Sequence, residues 1–119
     1  MPAMPQITVD YSSTLDTAFD RQAFALALHP LVVSTVDARP EDCKTRFRRV
    51  EDVVVGAETE GRAVLHIEIG LLHGRTDDTK IRLAKAVLAL ISAHVKPVDG
   101  VTLHSSVEIP TLDVSYRKR

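Results

Sequence analysis

Apolar and polar residues alternate over four segments of this chain, and each segment has the pattern of a β-strand with one buried face. In the first segment, Ile7, Val9 and Tyr11 alternate with Thr8 and Asp10. The other three segments cover residues 43–50, 63–71 and 101–109. Residues 53–55 either prolong the second strand or form a short edge strand.

Apolar residues at spacings of three and four predict a helix after the first strand and another after the third. The first helix is expected over residues 16–34, with N-cap candidates in Ser12–Thr14. Pro30 interrupts it, so a kink or restart is expected near His29. The second is expected to begin at Thr76 and to end before Pro97. Its predicted apolar face consists of Ile81, Leu83, Ala84, Val87, Leu88, Leu90, Ile91 and Val95.

The order strand–helix–strand occurs twice, and a crossover helix between two strands implies parallel pairing within each half. We therefore predict an α+β fold in which a β-α-β/β-α-β repeat forms one four-stranded sheet with two helices on one face. A length of 119 residues suits one domain, residues 1–119.

Composition narrows the class of partner. Fifteen basic and sixteen acidic residues nearly cancel, so no overall field favours nucleic acid or an anionic membrane. No apolar run approaches the ~20 residues of a membrane span, and the N-terminus lacks the apolar core of a signal peptide. Cys43 is the only cysteine, which predicts no disulfide and a cytoplasmic protein.

The polar faces of the strands carry both acids and bases, so this side of the sheet is either solvated or paired between strands or subunits. His66 and Glu68 share one strand face, and His104 is expected nearby. No HExxH or Cys/His spacing accompanies them, so we expect no metal site here. The tail, residues 111–119, is expected to be a solvated end.

The segment Pro5-Gln-Ile-Thr-Val-Asp-Tyr-Ser12 resembles the start of the 5-carboxymethyl-2-hydroxymuconate Δ-isomerases of the tautomerase superfamily. The resemblance continues through His29-Pro30, Lys44-Thr45-Arg46, Ala63–Ile67 and Gly74-Arg75-Thr76. It implies a homotrimer whose three sheets surround a central barrel. It also implies an enzyme that needs no cofactor.

The resemblance assigns roles to four residues. Pro5 matches the family's terminal proline, whose free secondary amine is a base; an α-amino group titrates near pH ~8, and an apolar or cationic setting lowers its pKa towards neutrality. Lys44 and Arg75 match positions that engage substrate carboxylates. Arg46 is a weaker candidate for the same role, and an ion pair on the sheet face is the alternative for it. Gln6 stands where the family frequently has histidine.

The implied reaction is a 1,3-allylic proton shift that converts a 2-hydroxymuconate-type carboxylate from enol to ketone. The expected substrate is the tricarboxylate 5-carboxymethyl-2-hydroxymuconate, from homoprotocatechuate degradation; a phenylpyruvate-like 2-oxo acid is the second candidate. The non-enzymatic alternative is a trimeric ligand-binding or scaffold protein. Residues 1–4 form an N-terminal extension before Pro5, and a chain that keeps them has an amide nitrogen there without basicity.

Overall fold

The computed structural model describes residues 2–119, in which two α-helices cover one face of a four-stranded sheet. The predicted α+β architecture is confirmed. The strands are β1 (Gln6–Ser12), β2 (Lys44–Val50), β3 (Arg62–Gly70) and β4 (Thr102–Glu108). The helices are α1 (Arg21–Val36) and α2 (Asp77–His94), and short 3-10 turns cover Ser13–Leu15 and Pro40–Asp42.

The sheet order is β2-β1-β3-β4. The predicted parallel pairing within each half is confirmed, since β1 pairs with β2 and β3 pairs with β4 in parallel. The two halves meet at the central pair, where β1 and β3 are antiparallel. Consequently, the start of β1, the start of β2 and the end of β3 lie at the same end of the sheet.

One apolar layer lies between the sheet and the helices. Alternate residues of β1 and β3 face this layer, and both helices contribute apolar side chains to it. Burying a large apolar side chain stabilises a fold by about 1.5–3 kcal/mol, so this layer holds the strand ends in place. Its fully buried members include Ile7, Val9, Phe24, Leu28, Val32, Leu65, Ile67, Ile69, Leu83, Val87 and Ile91.

Helix α1 differs from its sequence prediction in two respects. It begins five residues later than predicted, at Arg21, because the Asp20 carboxylate caps it by accepting the Ala23 N–H at 3.0 Å. The predicted restart at Pro30 is wrong, since α1 runs through this residue to Val36. Pro30 cannot donate to the Leu26 carbonyl, but both residues lie on the exposed side of the helix, where water can reach that carbonyl.

Helix α2 begins as predicted, with the Thr76 side chain accepting the Thr79 N–H at 3.2 Å. Its buried face is narrower than predicted. Leu83, Val87 and Ile91, spaced four apart, are fully buried, whereas Ile81 and Leu88 are 52% and 38% exposed. Ile81 and Leu88 belong to the predicted apolar face but lie outside the part of α2 that the sheet buries.

Two smaller features complete the fold. Residues 53–55 do not form an edge strand; Val55 makes only an isolated bridge to Glu58.

Within residues 2–119, neither helix combines the length and the apolar composition that crossing a membrane requires.

Candidate active site

Pro5 immediately precedes β1 and is buried. Its carbonyl oxygen accepts a hydrogen bond from the Lys44 backbone N–H at 3.3 Å. The next residue, Gln6, pairs with Lys44 on one side and with Gly70 on the other. The predicted base position therefore lies at a sheet end where three strand termini meet.

Two of the predicted carboxylate-binding cations lie on β2, next to this end. Lys44 and Arg46 are both exposed. Arg46 donates to the Gln6 side-chain oxygen at 2.9 Å (Nη2) and lies 3.4 Å from the Thr8 hydroxyl (Nη1). The partners of Arg46 are neutral, so its positive charge is not neutralised by these contacts.

Arg75 follows β3 on the loop that leads into α2. Its guanidinium donates to the Val36 carbonyl at 2.8 and 3.0 Å and to the Asp37 carbonyl at 3.3 Å. These carbonyls belong to the C-terminal end of α1, which carries partial negative charge. Arg75 therefore has a structural role that the sequence did not reveal.

An open cleft of about 420 Å³ surrounds Arg75 and the beginning of α2. Thr76 and Thr79 line it together with residues 35–37 at the end of α1. A helix N-terminus beside an arginine attracts anions. The lining includes neither Pro5 nor Lys44, so within one chain the predicted cations do not share this cleft.

Residues 2–4 fold onto the same end of the sheet. Ala3 is 1% exposed, and its carbonyl accepts the Leu72 N–H at 2.9 Å. Met4 has a left-handed backbone with φ of 49°, a conformation that is uncommon for a non-glycine residue. In this form of the chain the Pro5 nitrogen belongs to a peptide bond and is not a base.

The C-terminal tail is largely exposed, as predicted, but two of its side chains contact the rest of the chain. Tyr116 accepts a hydrogen bond from the Gln6 side-chain amide at 3.1 Å, and the Lys118 ammonium lies 2.9 Å from Asp42 Oδ1. Asp42 is 3% exposed and is also paired with Arg39 at 3.1 Å. Hydrogen bonds from Lys118 and then from Arg39 hold the pKa of the Asp42 carboxyl below its usual range. The basic composition of the tail gave no signal for these contacts.

The open face of the sheet holds a second group of polar residues, away from Pro5. His66 lies 3.5 Å from Glu108 and 3.9 Å from Glu68, and its Nδ1 is 2.6 Å from the Ser106 hydroxyl. His66, Glu68 and Glu108 could supply ligand atoms to a metal ion, but the two glutamates are exposed. His104 lies on the neighbouring strand β4, where it pairs with Val64, two positions from the pair of His66 with Ser106.

The sheet end at Pro5 has the elements of a proton-transfer site for an anionic substrate. A free secondary amine at position 5 would supply the base, next to the strand that carries Lys44 and Arg46. Cations at Lys44 and Arg46 would favour negative charge nearby. The requirement is that the Pro5 nitrogen be released from its peptide bond.

The model of the 5-carboxymethyl-2-hydroxymuconate isomerase family matches residues 5–118. The comparison with curated proteins finds no significant match.

Among solved structures, a 5-carboxymethyl-2-hydroxymuconate isomerase from Deinococcus radiodurans R1 is similar with a TM-score of 0.80 and 17% identity, covering 99% of this chain and 91% of the other. A 5-carboxymethyl-2-hydroxymuconate delta-isomerase gives a TM-score of 0.71 and 15% identity, covering 98% and 88%. A fused 4-OT wild-type symmetric trimer, Q0, gives a TM-score of 0.69 and 24% identity, covering 91% of this chain and 84% of the other.

These structures share the tautomerase fold with this chain, and the family match covers nearly all of it. The match begins at Pro5, the residue before β1. The chain belongs to the 5-carboxymethyl-2-hydroxymuconate isomerase family.

Proposed function

We propose that the protein is an isomerase that moves a proton along a conjugated enol, with the Pro5 amine as the base. The observation that carries this proposal is the family match, which starts at Pro5 and extends to residue 118. The family match does not favour the non-catalytic alternative. The active form is one in which Pro5 is the first residue, since only then is its nitrogen basic.

The reaction is an internal transfer that needs no redox partner. The Pro5 amine accepts a proton from one end of the 2-hydroxydienoate, which leaves a delocalised dienolate. The resulting ammonium returns the proton to carbon at the other end, so that the double bonds shift by one position and the ketone forms. An amine whose pKa lies near the working pH suits both steps.

Two cations on β2 next to Pro5, and a third in the separate cleft at the start of α2, suit a substrate with several carboxylates. Lys44 is adjacent to Pro5 through the backbone hydrogen bond at 3.3 Å, and Arg46 lies two residues further along the same strand. Arg75 lies at the start of α2 and contributes its charge there. We propose 5-carboxymethyl-2-hydroxymuconate as the substrate, with Lys44, Arg75 and Arg46 engaging carboxylates and developing enolate charge.

We also propose that the protein assembles as a homotrimer. The similar fused 4-OT protein is a symmetric trimer. The open sheet face of this chain is basic at the β2 edge and acidic at the β4 edge, where Glu68 and Glu108 lie directly opposite each other. Sedimentation equilibrium should return three times the chain mass of 13.1 kDa. A monodisperse monomer at micromolar concentration would contradict this assembly.

Turnover measurements test the function itself. A chain that starts at Pro5 is assayed by the absorbance change from dienol to enone with 5-carboxymethyl-2-hydroxymuconate. Lys44→Ala should lower kcat/KM by about 10-fold or more, since a charge-assisted hydrogen bond contributes about 1.5–3 kcal/mol. Lys85→Ala, on the exposed side of α2, is the matched control. No turnover by the chain starting at Pro5, or equal losses in the two variants, would contradict the proposal.

A further inference from the structure

A C-terminal strap, residues 110–118, crosses the end of the sheet where Pro5 lies. It leaves β4 and contacts the other strands in their spatial order: first the end of β3, then the start of β1, then the turn before β2. A segment held at three strand ends constrains their relative positions. Each contact is made by a different kind of interaction.

At β3 the contact is made by backbone and by packing. The Leu112 N–H donates to the Leu71 carbonyl at 2.8 Å, and the Leu71 N–H donates to the Pro110 carbonyl at 3.0 Å. The Leu112 side chain covers Gly70, where an added Cβ would lie 2.6 Å from Leu112 Cδ2. The glycine therefore leaves room for the strap.

At β1 the contact is a relay through one amide. Gln6 donates from Nε2 to the Tyr116 hydroxyl at 3.1 Å and accepts at Oε1 from Arg46 at 2.9 Å. Rotating the amide by half a turn would point its N–H₂ at a guanidinium, which has donors only. Arg46 therefore sets the orientation of the amide, and the Tyr116 hydroxyl, which can accept or donate, holds the Gln6 side chain at the place where it meets Arg46.

At β2 the contact is ionic. Lys118 pairs at 2.9 Å with Asp42, whose carboxylate is 3% exposed. Asp42 ends the 3-10 turn Pro40–Asp42, and Lys44 begins β2 two residues later. Losing the Lys118 charge would leave the buried carboxylate with Arg39 as its remaining cation.

We propose that Tyr116 and Lys118 are positioning residues that hold the carboxylate-binding cations beside Pro5, Tyr116 acting through Gln6 on Arg46 and Lys118 acting through Asp42 on the segment that carries Lys44. This inference rests on the proposed function, because it takes Arg46 and Lys44 to bind substrate carboxylates. Neither tail residue takes part in the proton transfer. Losing either of them affects substrate binding, whereas the proton-transfer step keeps its rate.

The first experiment separates KM from kcat. In the chain that starts at Pro5, Tyr116→Phe removes the hydroxyl that accepts from Gln6. KM for 5-carboxymethyl-2-hydroxymuconate should rise about 3- to 10-fold, the equivalent of one net hydrogen bond, with kcat unchanged. In a Gln6→Leu background, Tyr116→Phe should have no further effect. Ser115→Ala is the matched control, since Ser115 bonds only Asp113 among the described residues.

The second experiment concerns the ion pair. Lys118→Gln should raise KM, and Lys118→Arg should restore it because the positive charge returns. Arg117→Gln is the control, since within residues 2–119 Arg117 donates only to the tail carbonyls of residues 114 and 116. A KM that is unchanged in both Tyr116→Phe and Lys118→Gln overturns the proposal, as does a fall in kcat with KM constant.

Two further measurements do not depend on turnover. Amide hydrogen exchange at Leu112 should be at least about 10-fold faster in Lys118→Gln than in Arg117→Gln if the strap is held at its far end. Propane-1,2,3-tricarboxylate, which cannot tautomerise, should bind about 3- to 10-fold more weakly to Tyr116→Phe than to Ser115→Ala. If the wild-type chain shows no turnover but the variants differ from their controls in exchange and in probe binding as expected, the proposed reaction fails and the strap remains supported. Equal exchange and equal binding in variants and controls overturn the strap, whatever the activity.

Discussion

The Lys44 backbone N–H donates to the Pro5 carbonyl at 3.3 Å. One hydrogen bond therefore joins the residue proposed as the base to a residue proposed to bind carboxylate. Both residues lie at strand starts of the parallel pair β1 and β2, so the sheet itself sets their separation.

Arg75 has a structural role and a proposed binding role, and one substitution tests both. Arg75→Ala removes the donors to the Val36 and Asp37 carbonyls, so the free energy of unfolding should fall by about 1–2 kcal/mol. Binding of propane-1,2,3-tricarboxylate should weaken as well, by about 10-fold or more. Urea unfolding and calorimetry measure the two effects. Arg82→Ala, on the exposed side of α2, should change neither; a loss of stability without a loss of binding would leave Arg75 with the structural role alone.

His29 makes stability depend on pH near neutrality. Its Nε2 lies 2.7 Å from the Thr45 hydroxyl, and burial lowers the pKa of the imidazole. In the unfolded chain the ring takes up a proton near pH ~6.5, whereas in the folded protein it stays neutral to lower pH. The contribution of neutral His29 to the free energy of unfolding is therefore fully present above about pH 6.5. It is lost as pH falls through the lower pKa of the folded state.

Urea unfolding at about pH 5 and about pH 7.5 measures this dependence. His29→Gln should reduce the difference in unfolding free energy between the two conditions. His73→Gln, in an exposed loop, is the control and should leave the difference unchanged. A pH difference equal to wild type in His29→Gln would remove His29 as its source.

Pro30 lies inside α1, where its ring clashes with the preceding turn and no N–H reaches Leu26. Pro30→Ala should raise the free energy of unfolding by about 1–3 kcal/mol, even after the entropy that the unfolded chain regains. Pro40→Ala is the comparison, because Pro40 opens a 3-10 turn where no helical donor is required. A loss of stability in Pro30→Ala would indicate that the proline has a packing role in the folded helix.

The sequence predicted the fold well because its signals were local. A short stretch of chain is enough to recognise the alternation around Ile7 and Val9. The same holds for the four-residue spacing of Leu83 and Val87. The start of α1 was missed because two capping signals competed, and Asp20 accepted the helix N–H in place of the residues 12–14. Ile81 and Leu88 continued the apolar pattern of α2 beyond the surface that the sheet covers.

The site was less predictable because its contacts join distant residues. Lys118 and Asp42 are 76 positions apart, and neither local sequence indicates a partner. The contact of Arg75 with the end of α1 likewise depends on where the helix stops, at Val36, two residues beyond its predicted end. Pro5, Lys44 and Arg75 were named through family resemblance, with Arg46 as a weaker candidate; their roles as base and carboxylate ligands remain predictions.

The most direct test of the central claim is the rate of dienol-to-enone conversion in three forms of the chain. The first form keeps residues 1–4, the second starts at Pro5, and the third starts at Pro5 and is N-acetylated. Ala3 is buried, so removing it costs some stability; the acetylated form lacks it too and is therefore the matched control. The account predicts that the form with a free Pro5 amine is faster than both others by about 10²–10⁴-fold. Equal rates in all three forms would contradict it, because the acylated nitrogen cannot be the base.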